Sequence, residues 1–541
     1  MVEIGTKIAA CIVFTCLFYI ATFKTFGILQ QCGYHNNAFL RWMKRKDNLF
    51  YNRLGVWTLA SLLACIFISL CFSLLGVETA IFCGFVTYLC FAFFFCIVDK
   101  KYALKVPVNV TGRIRRLSVL YVLLTACVSY IVIALLDFAR AAIDNDVYSL
   151  FAYAPVCFMP LLLPFILLLA NKILSPMEKA RNKKFVERAG QVLDQSSAIR
   201  VGVVGSYGKT SVKNILNSIL SVKYSVIATP ESYNTPAGVA KTVNCLDVQK
   251  CEIFIAEMGA RRVGDVAELC RLVKPDYAIF TGVCAQHMET FKTEENLVKA
   301  KSEIIKGTKG KVVCGSGLQE KIDGLDSEFL NETDKEKCLF VGETSIENLA
   351  LKKDGAAFTL RLKNGESIFV ETVLLGRAAA ENIALAATLA SELGMTAEEI
   401  SQGIAKIKPV PHRLQLIESG GIHILDDAYN CSEQSAKEAI DALKRFDGGK
   451  IAVTPGIVET GILEEKINGE LGASLAKADL DLVVLVGETL VGAVKNGYLS
   501  AGGAPEKLKT VPTLEKAKET LGEYLKEGDA VLFLNDLPDV Y

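Results

Sequence analysis

A glycine-rich turn between an apolar run and a predicted helix is the clearest candidate for chemistry in this sequence. The apolar run Val201–Val204 leads into Gly-Ser-Tyr-Gly-Lys-Thr-Ser. Glycines at 205 and 208 let backbone N–H groups approach an anion, and the helix expected from about Lys209 to Leu220 adds its dipole. We predict a nucleotide phosphate site, although the spacing is two residues shorter than the general phosphate-loop motif. Its residues are Gly205, Ser206, Gly208, Lys209, Thr210 and Ser211.

Polar residues in this turn and at the ends of other apolar runs could bind magnesium. Thr210 or Ser211 can offer a hydroxyl oxygen to Mg²⁺, while Lys209 supplies a positive charge to the phosphates. Glu257 ends the apolar run 253–256, and His287, one of four histidines, follows another. Ligands bind at the carboxyl ends of strands in an open α/β sheet. We therefore interpret Glu257 as a magnesium ligand and give His287 a metal or phosphate role.

The first third of the chain is apolar enough to form membrane-spanning helices. Five runs, at about 5–27, 54–75, 78–98, 117–136 and 147–170, each approach the ~20 residues that a bilayer requires. Basic residues cluster at 41–53, between the first two spans, and at 100–116, between the third and fourth. Positive loops face the cytoplasm. The sequence thus predicts a multi-pass cell-membrane protein with its N-terminus outside and everything after the fifth span in the cytoplasm.

The overall charge gives no support for a nucleic-acid-binding protein, and the cysteine usage argues against a disulfide-linked or zinc-binding one. The 541 residues contain 59 Lys and Arg against 59 Asp and Glu, so bulk charge gives no indication of a nucleic-acid partner. The 17 cysteines include no Cys-x-x-Cys pair. Scattered cysteines of this kind predict reduced thiols, not a disulfide framework or a four-cysteine zinc site.

From Ala198 onward, apolar β-runs alternate with helical periodicity, which predicts an α/β fold with a parallel sheet. Strands are expected near 199–205, 252–257, 276–282 and 310–315, followed by a meander over about 348–375. A smaller α/β unit has strands expected near 421–427, 450–454, 482–486 and 529–533. The predicted domains are a membrane domain (1–175), a charged amphipathic connector (176–197), a central ATP-binding domain (198–408) and a Rossmann-like C-terminal domain (409–541).

Taken in order, several motifs resemble those of the Mur ligase family. They are 205–211, 232–238, 256–259, 275–276, 286–287, 299–303, 411–413 and 426–430. The resemblance covers about 198–541 and is closest to the members that add D-alanyl-D-alanine to UDP-N-acetylmuramoyl-tripeptide. It implies a phosphate-loop ligase of peptidoglycan precursors, with ATP and Mg²⁺ as cofactors. In such an enzyme ATP converts a carboxylate into an acyl phosphate, and an incoming amine then displaces the phosphate.

The resemblance also implies roles for individual residues. Lys209 would hold the ATP phosphates, while Thr210, Glu257 and His287 would bind magnesium. Lys301 matches the family's carbamylated lysine, whose anionic carbamate can bind a second magnesium. A surface lysine is the alternative interpretation, and Lys299 stands two residues away.

Three further matches complete the implied nucleotide site. Asn382 corresponds to the asparagine that contacts adenine, Arg413 to the arginine that reaches the phosphates from the third domain, and Asp427 to the acidic residue near the ribose. The implied catalytic set is Lys209, His287, Lys301 and Arg413.

The sequence departs from the family where the substrate would be recognised. Five membrane spans stand in place of the domain that grips the UDP end of the precursor, and Ala378-Ala379 and Ser432-Glu433 replace the family's His-Asn and Asn-Pro. The carboxyl substrate is therefore expected to be muropeptide-like and linked either to UDP or to a lipid, with a small-molecule amine as acceptor. Two alternatives stay open: a membrane-bound ligase of another polymer, similar to poly-γ-glutamate synthases, and a non-catalytic ATP-binding membrane protein.

Overall fold

The computed structural model describes residues 2–44, 49–100, 104, 106–143, 145–285, 288–342, 345–429 and 431–535. The chain forms two compact units that divide between Arg181 and Asn182. Several residues named above, namely 45–46, 101, 105, 286–287 and 430, lie outside the described residues.

The first unit is helical, and its last helix extends past Arg181. Five of its segments are long and apolar enough to cross a membrane, namely Cys11–Gln31, Leu54–Leu75, Val77–Ile97, Gly112–Ala142 and Val147–Gln195. They correspond one to one to the five predicted spans. The helices are α1 (Val2–Gln31), α2 (Asn36–Lys44), α3 (Leu49–Phe72), α4 (Val77–Lys100), α5 (Gly112–Ala142), α6 (Asp146–Phe151) and α7 (Met159–Gln195).

Polar side chains join three parts of this unit near the start of α5. Asn171 donates to the Tyr34 carbonyl (2.9 Å) and to Asn36 Oδ1 (2.7 Å), and it accepts from Arg113 (3.2 Å). Arg116 forms a bidentate pair with Glu178, at 2.6 and 2.9 Å. Such contacts hold apolar helices in register, because lipid cannot replace them.

The predicted connector is the C-terminal half of a long helix. α7 continues without a break through 173–195, past Pro164 and Pro176, and ends three residues before β1. Its charged, amphipathic pattern suits a solvent-exposed helix as well as a linker, so the pattern does not predict that the helix is continuous.

The central domain contains a six-stranded parallel sheet with the order β2-β3-β1-β4-β5-β6 and an antiparallel three-stranded sheet, β7-β8-β9. Apolar clusters cover both faces of the larger sheet. The elements are β1 (Ile199–Val204), α8 (Lys209–Leu220), β2 (Val226–Ala228), α9 (Pro236–Cys245), β3 (Ile253–Met258), α10 (Asp265–Val273), β4 (Tyr277–Phe280), α11 (Met288–Phe291), α12 (Glu294–Gly307), β5 (Val312–Gly315), α13 (Gln319–Asp323), α14 (Glu332–Lys335), β6 (Cys338–Val341), β7 (Ile346–Leu351), β8 (Ala356–Arg361), β9 (Ser367–Thr372), α15 (Arg377–Glu392) and α16 (Ala397–Ile404).

The C-terminal domain has its own six-stranded sheet, in the order β10-β11-β15-β12-β13-β14, and only β10 runs antiparallel to its neighbour. Its elements are β10 (Gln415–Ser419), β11 (Ile422–Asp427), α17 (Glu433–Leu443), β12 (Lys450–Thr454), α18 (Glu464–Lys477), β13 (Leu482–Val486), α19 (Val491–Ser500), β14 (Leu508–Val511), α20 (Leu514–Tyr524) and β15 (Ala530–Leu534).

The α/β fold class with its parallel sheet and smaller second sheet is confirmed, and so is the meander. Four strands were not predicted: β2, β6, β10 and β14. All four are the edge strands of the two large sheets. Edge strands are short and half-exposed, so they lack the continuous apolar run that marks a buried parallel strand.

Candidate functional site

The glycine-rich turn joins β1 to α8 at the carboxyl edge of the central sheet. A Cβ added at Gly205 would lie 1.9 Å from Thr281 Oγ1, so any other residue there would force Thr281 to move. Gly208 has a φ of 73°, which favours glycine. The Lys209 ammonium folds back over the turn and donates to the carbonyls of Gly205 (2.7 Å) and Ser206 (3.0 Å). The turn is therefore a compact cradle with a cation beside the N-terminus of α8.

Glu257 ends β3 next to this cradle and is almost completely buried, with 1% of its side chain exposed. Thr210 donates its hydroxyl to Glu257 Oε2 at 2.9 Å, and Asn234 donates to Oε1 at 3.1 Å. The structure thus brings together two residues predicted to bind magnesium. A carboxylate beside a hydroxyl is a hard-oxygen donor set, which fits Mg²⁺.

Lys213 was not singled out from the sequence, yet it belongs to the same cluster. One turn after Lys209 on α8, it is 1% exposed and lies 3.2 Å from Glu257 Oε2. A lysine four residues after another on a helix is ordinarily read as a second solvated cation. Only the burial of Lys213 in the folded domain shows that it belongs to this cluster.

Lys301 lies inside the domain, so the alternative interpretation as a surface lysine is wrong. α12 buries it to 2% exposure and places its Nζ 3.0 Å from the Gly205 carbonyl, with the Phe291 ring 6.0 Å away. Burial, assisted by the positive charge of Lys209, lowers the pKa of Lys301 to about 7. Lys299 instead pairs with Glu295 at 2.7 Å, where its side chain is 30% exposed.

Asn382 lies close to the cradle on α15. An added Cβ at Gly208 would come within 2.8 Å of Asn382 Oδ1, so this amide contacts the turn where the nucleotide is expected. Ser211 follows Thr210 in the first turn of α8.

The C-terminal domain contributes Arg413 and Asp427. The Arg413 guanidinium stacks over Tyr429 at 4.3 Å, and its neighbours His412 and Leu414 have positive φ values of 61° and 46°. Burial is the main cause that lowers the pKa of Lys209, and the charge of Arg413 lowers it further, so Arg413 acts electrostatically at the cradle.

Asp427 is buried at the end of β11 and accepts from the Leu414 N–H at 3.1 Å. Its other oxygen, Oδ2, is buried without a hydrogen-bond partner among the described residues. Burial raises the pKa of Asp427 to about 7, an effect that Arg413 opposes. An unsatisfied buried acceptor of this kind suits a ligand hydroxyl.

His287 and Gln286 lie outside the described residues, so the predicted metal role of His287 stays a prediction. The next residue, Met288, donates its N–H to the Glu459 carbonyl at 3.1 Å, and Arg261, after β3, pairs with the Glu459 carboxylate at 3.6 Å. The two domains therefore meet beside the loop that carries His287. Within the described ranges no cluster of three or more His, Cys, Asp or Glu residues forms a ready metal site.

Comparisons with known proteins match this architecture. The Mur ligase middle domain matches residues 203–390, and the glutamate ligase domain of Mur ligases matches residues 412–535. The UDP-N-acetylmuramoyl-tripeptide--D-alanyl-D-alanine ligase of Escherichia coli is 30% identical over 311 residues, which are 56% of this chain and 68% of that protein. The enzyme of the same name from Bacillus subtilis is 29% identical over 341 residues, 62% and 72% of the two chains.

Solved structures agree with the sequence comparisons. MurF ligase from Thermotoga maritima, in complex with ADP, is 28% identical with a TM-score of 0.57, covering 66% of this chain and 80% of that one. MurF from Acinetobacter baumannii, at 23% identity and a TM-score of 0.58 over 66% and 77% of the two chains, shares the fold. Neither matched domain includes residues 1–202.

Proposed function

The chain belongs to the Mur ligase family, and on this basis we propose that it joins D-alanyl-D-alanine to the terminal carboxyl group of a muramoyl-tripeptide precursor. It is an ATP-dependent, ADP-forming ligase of the peptidoglycan-precursor type. The observation that carries the proposal is the convergence of Lys209, Glu257 and Lys301 at one edge of the central sheet.

The reaction has two steps, and the residues of the site would position the reacting groups. The substrate carboxylate attacks the γ-phosphate of ATP, which yields an acyl phosphate and ADP; the amine then attacks the acyl carbon, forms the amide and expels phosphate. The protein's task is to position and neutralise the phosphates. The cradle N–H groups and Lys209 would hold them, with Arg413 reaching in from the C-terminal domain.

We assign magnesium binding to Thr210, Glu257 and His287. When bound, magnesium supplies positive charge that offsets the charge on the phosphates. Asn382 and Asp427 are the candidates for the adenine and ribose, a role supported by the position of Asn382 at Gly208 and by the unsatisfied Oδ2 of Asp427. Ser206 and Ser211 complete the proposed phosphate contacts.

Lys301 is proposed to be carbamylated. An amine with a pKa of about 7 is substantially neutral at physiological pH, and the neutral form adds CO₂ and releases one proton to become an anionic carbamate. The anion would relieve the repulsion from Lys209 and could serve as a second magnesium ligand.

The five apolar helical segments are proposed to cross the cell membrane, with the N-terminus outside and the ligase domains in the cytoplasm. In three of the five, less than a third of the residues in the most apolar stretch are buried, as expected of helices that contact lipid. We further propose that the carboxyl substrate is presented at the bilayer on a lipid carrier. Confinement of enzyme and substrate to one surface raises their effective concentration and can replace a domain that binds UDP.

The central test is phosphate release from ATP by the purified full-length protein with a muramoyl-tripeptide substrate. D-alanyl-D-alanine should support release, whereas D-alanine, L-glutamate and poly-γ-glutamate should not. Release with glutamate acceptors alone would indicate a ligase of another polymer, and no release with any acceptor would indicate a non-catalytic ATP-binding protein.

A further inference from the structure

Lys213 is a buried cation to which the reaction outlined above gives no task. Its side chain is 1% exposed, and its ammonium donates to two acceptors, Glu257 Oε2 at 3.2 Å and the backbone carbonyl of Glu231. Burying a lysine is costly unless its charge is paired and its hydrogen bonds are made. Here one carboxylate and one carbonyl from different segments meet that need.

The second acceptor belongs to the segment between β2 and α9, residues 229–235, called here the 229–235 loop. The loop makes further hydrogen bonds to β3 and to the residue that follows it. Thr229 donates its N–H to the Ile255 carbonyl (2.9 Å) and accepts from the Glu257 N–H at Oγ1 (3.0 Å), while Asn234 donates to Glu257 Oε1 (3.1 Å) and accepts from the Gly259 N–H at its carbonyl (2.7 Å). Its tip, Glu231, has a φ of 45°, which is uncommon for a residue other than glycine. Lys213 supplies the bond that holds this strained tip.

We propose that Lys213 is a positioning residue with two effects: it ties the 229–235 loop to the Glu257 carboxylate, and its charge competes with a divalent cation for that carboxylate. The loop tether rests on the contacts above, while the effect on the cation rests on the proposed magnesium role of Glu257. Lys213 itself contacts neither nucleotide nor substrate in this scheme.

The two halves of the proposal predict opposite changes when the charge is removed. Without Lys213 the 229–235 loop loses the bond at its tip and should open more often. At the same time Glu257 loses a competing cation 3.2 Å away, so a divalent ion should bind more tightly. Simple destabilisation of the domain would instead make the loop open more often and make the divalent ion bind more weakly.

The experiment uses the full-length protein in nanodiscs, with Lys213→Met, Lys213→Gln and the control Lys223→Met. Lys223 also pairs with a glutamate, Glu399, and with a carbonyl, that of Gly394, but it lies beyond the C-terminal end of α8, whereas the cradle is at the N-terminal end. Hydrogen exchange of residues 229–235 is measured without nucleotide or metal. Mn²⁺ binding is measured by electron paramagnetic resonance with a non-hydrolysable ATP analogue.

Lys213→Met should speed exchange of the loop and tighten Mn²⁺ binding by about tenfold, the order expected from removing a nearby unit charge at a screened site. Lys213→Gln, which lacks the charge but can still donate to the Glu231 carbonyl, should tighten Mn²⁺ binding and protect the loop better than methionine. Lys223→Met should change neither quantity.

Unchanged loop exchange in Lys213→Met, or weaker Mn²⁺ binding in both Lys213 variants, would overturn the proposal. If the methionine variant does not fold, the glutamine variant still decides the charge effect. If the wild-type protein binds no Mn²⁺, the magnesium role of Glu257 is wrong, and so is the predicted effect of the Lys213 charge on it. The exchange measurement would still show whether Lys213 holds the 229–235 loop in place.

Discussion

Lys209 and Lys301 share one hydrogen-bond acceptor, since both ammonium groups lie within bonding distance of the Gly205 carbonyl oxygen, at 2.7 and 3.0 Å. Two cations at one carbonyl repel each other, and the nearby Glu257 carboxylate favours the charge on Lys209. Lys301 has no such carboxylate among the causes that set its pKa, and that pKa falls to about 7. Burial lowers the pKa of both amines, and Lys301, with a pKa of about 7, can lose its proton near physiological pH.

Lys209→Ala should reduce ATP turnover by about a hundredfold or more, because it removes the cation of the phosphate cradle. Steady-state phosphate release checks this. Lys223→Ala, which removes an exposed lysine outside the cradle, should retain turnover. Normal turnover in Lys209→Ala would disprove the proposed nucleotide site.

Lys301→Ala should be inactive and partly rescued by formate or acetate, which can occupy the place of the carbamate. Wild-type protein in ¹³C-bicarbonate should show a carbamate signal by NMR that Lys301→Ala lacks and Lys299→Ala keeps. The signal should fade as the pH drops below about 7, because protonated Lys301 cannot add CO₂. An active enzyme with unmodified Lys301 would contradict this prediction.

The phosphate cradle could be predicted because its chemistry is contiguous in sequence: glycines, a lysine and hydroxyls stand between one strand and one helix. Glu257 could be predicted for a related reason, since a carboxylate at the end of an apolar run falls on the ligand-binding edge of a parallel sheet. The central strands of both sheets were found by the same apolar runs.

What the sequence could not supply depends on contacts between distant segments. Lys213 is a functional candidate only because the 229–235 loop and β3 close over it, and nothing local distinguishes it from a solvated lysine. The continuity of α7 through the charged segment and the four half-exposed edge strands escaped prediction for the same reason: neither has a local pattern strong enough to define it.

Asp427→Asn should be more stable relative to wild type at pH 8 than at pH 5. The pKa of Asp427 is about 7 in the folded protein against an ordinary value of 3.8, so the folded state favours the protonated form. That contribution to stability is fully present below about pH 4 and is lost as the pH rises through 7, because a buried carboxylate must then ionise.

Asparagine carries no titrating group, so the cost of its buried amide is the same at both pH values and cancels in the comparison. The difference between the two pH values should amount to roughly 2–4 kcal/mol in the free energy of unfolding, measured by urea denaturation of wild type and variant. Equal differences at pH 5 and pH 8 would mean that Asp427 is ionised throughout.

The membrane-spanning segments should favour a substrate that reaches the active site from the bilayer. Matched muramoyl-tripeptides, one linked to UDP and one to the lipid carrier, are offered to the full-length protein in nanodiscs with ATP and D-alanyl-D-alanine. The lipid-linked form should react with at least about tenfold higher kcat/KM, since the bilayer concentrates it beside the enzyme. If the UDP form reacts as well or better, the helical segments serve only as an anchor, and the chain is a membrane-bound version of a ligase that uses the soluble precursor.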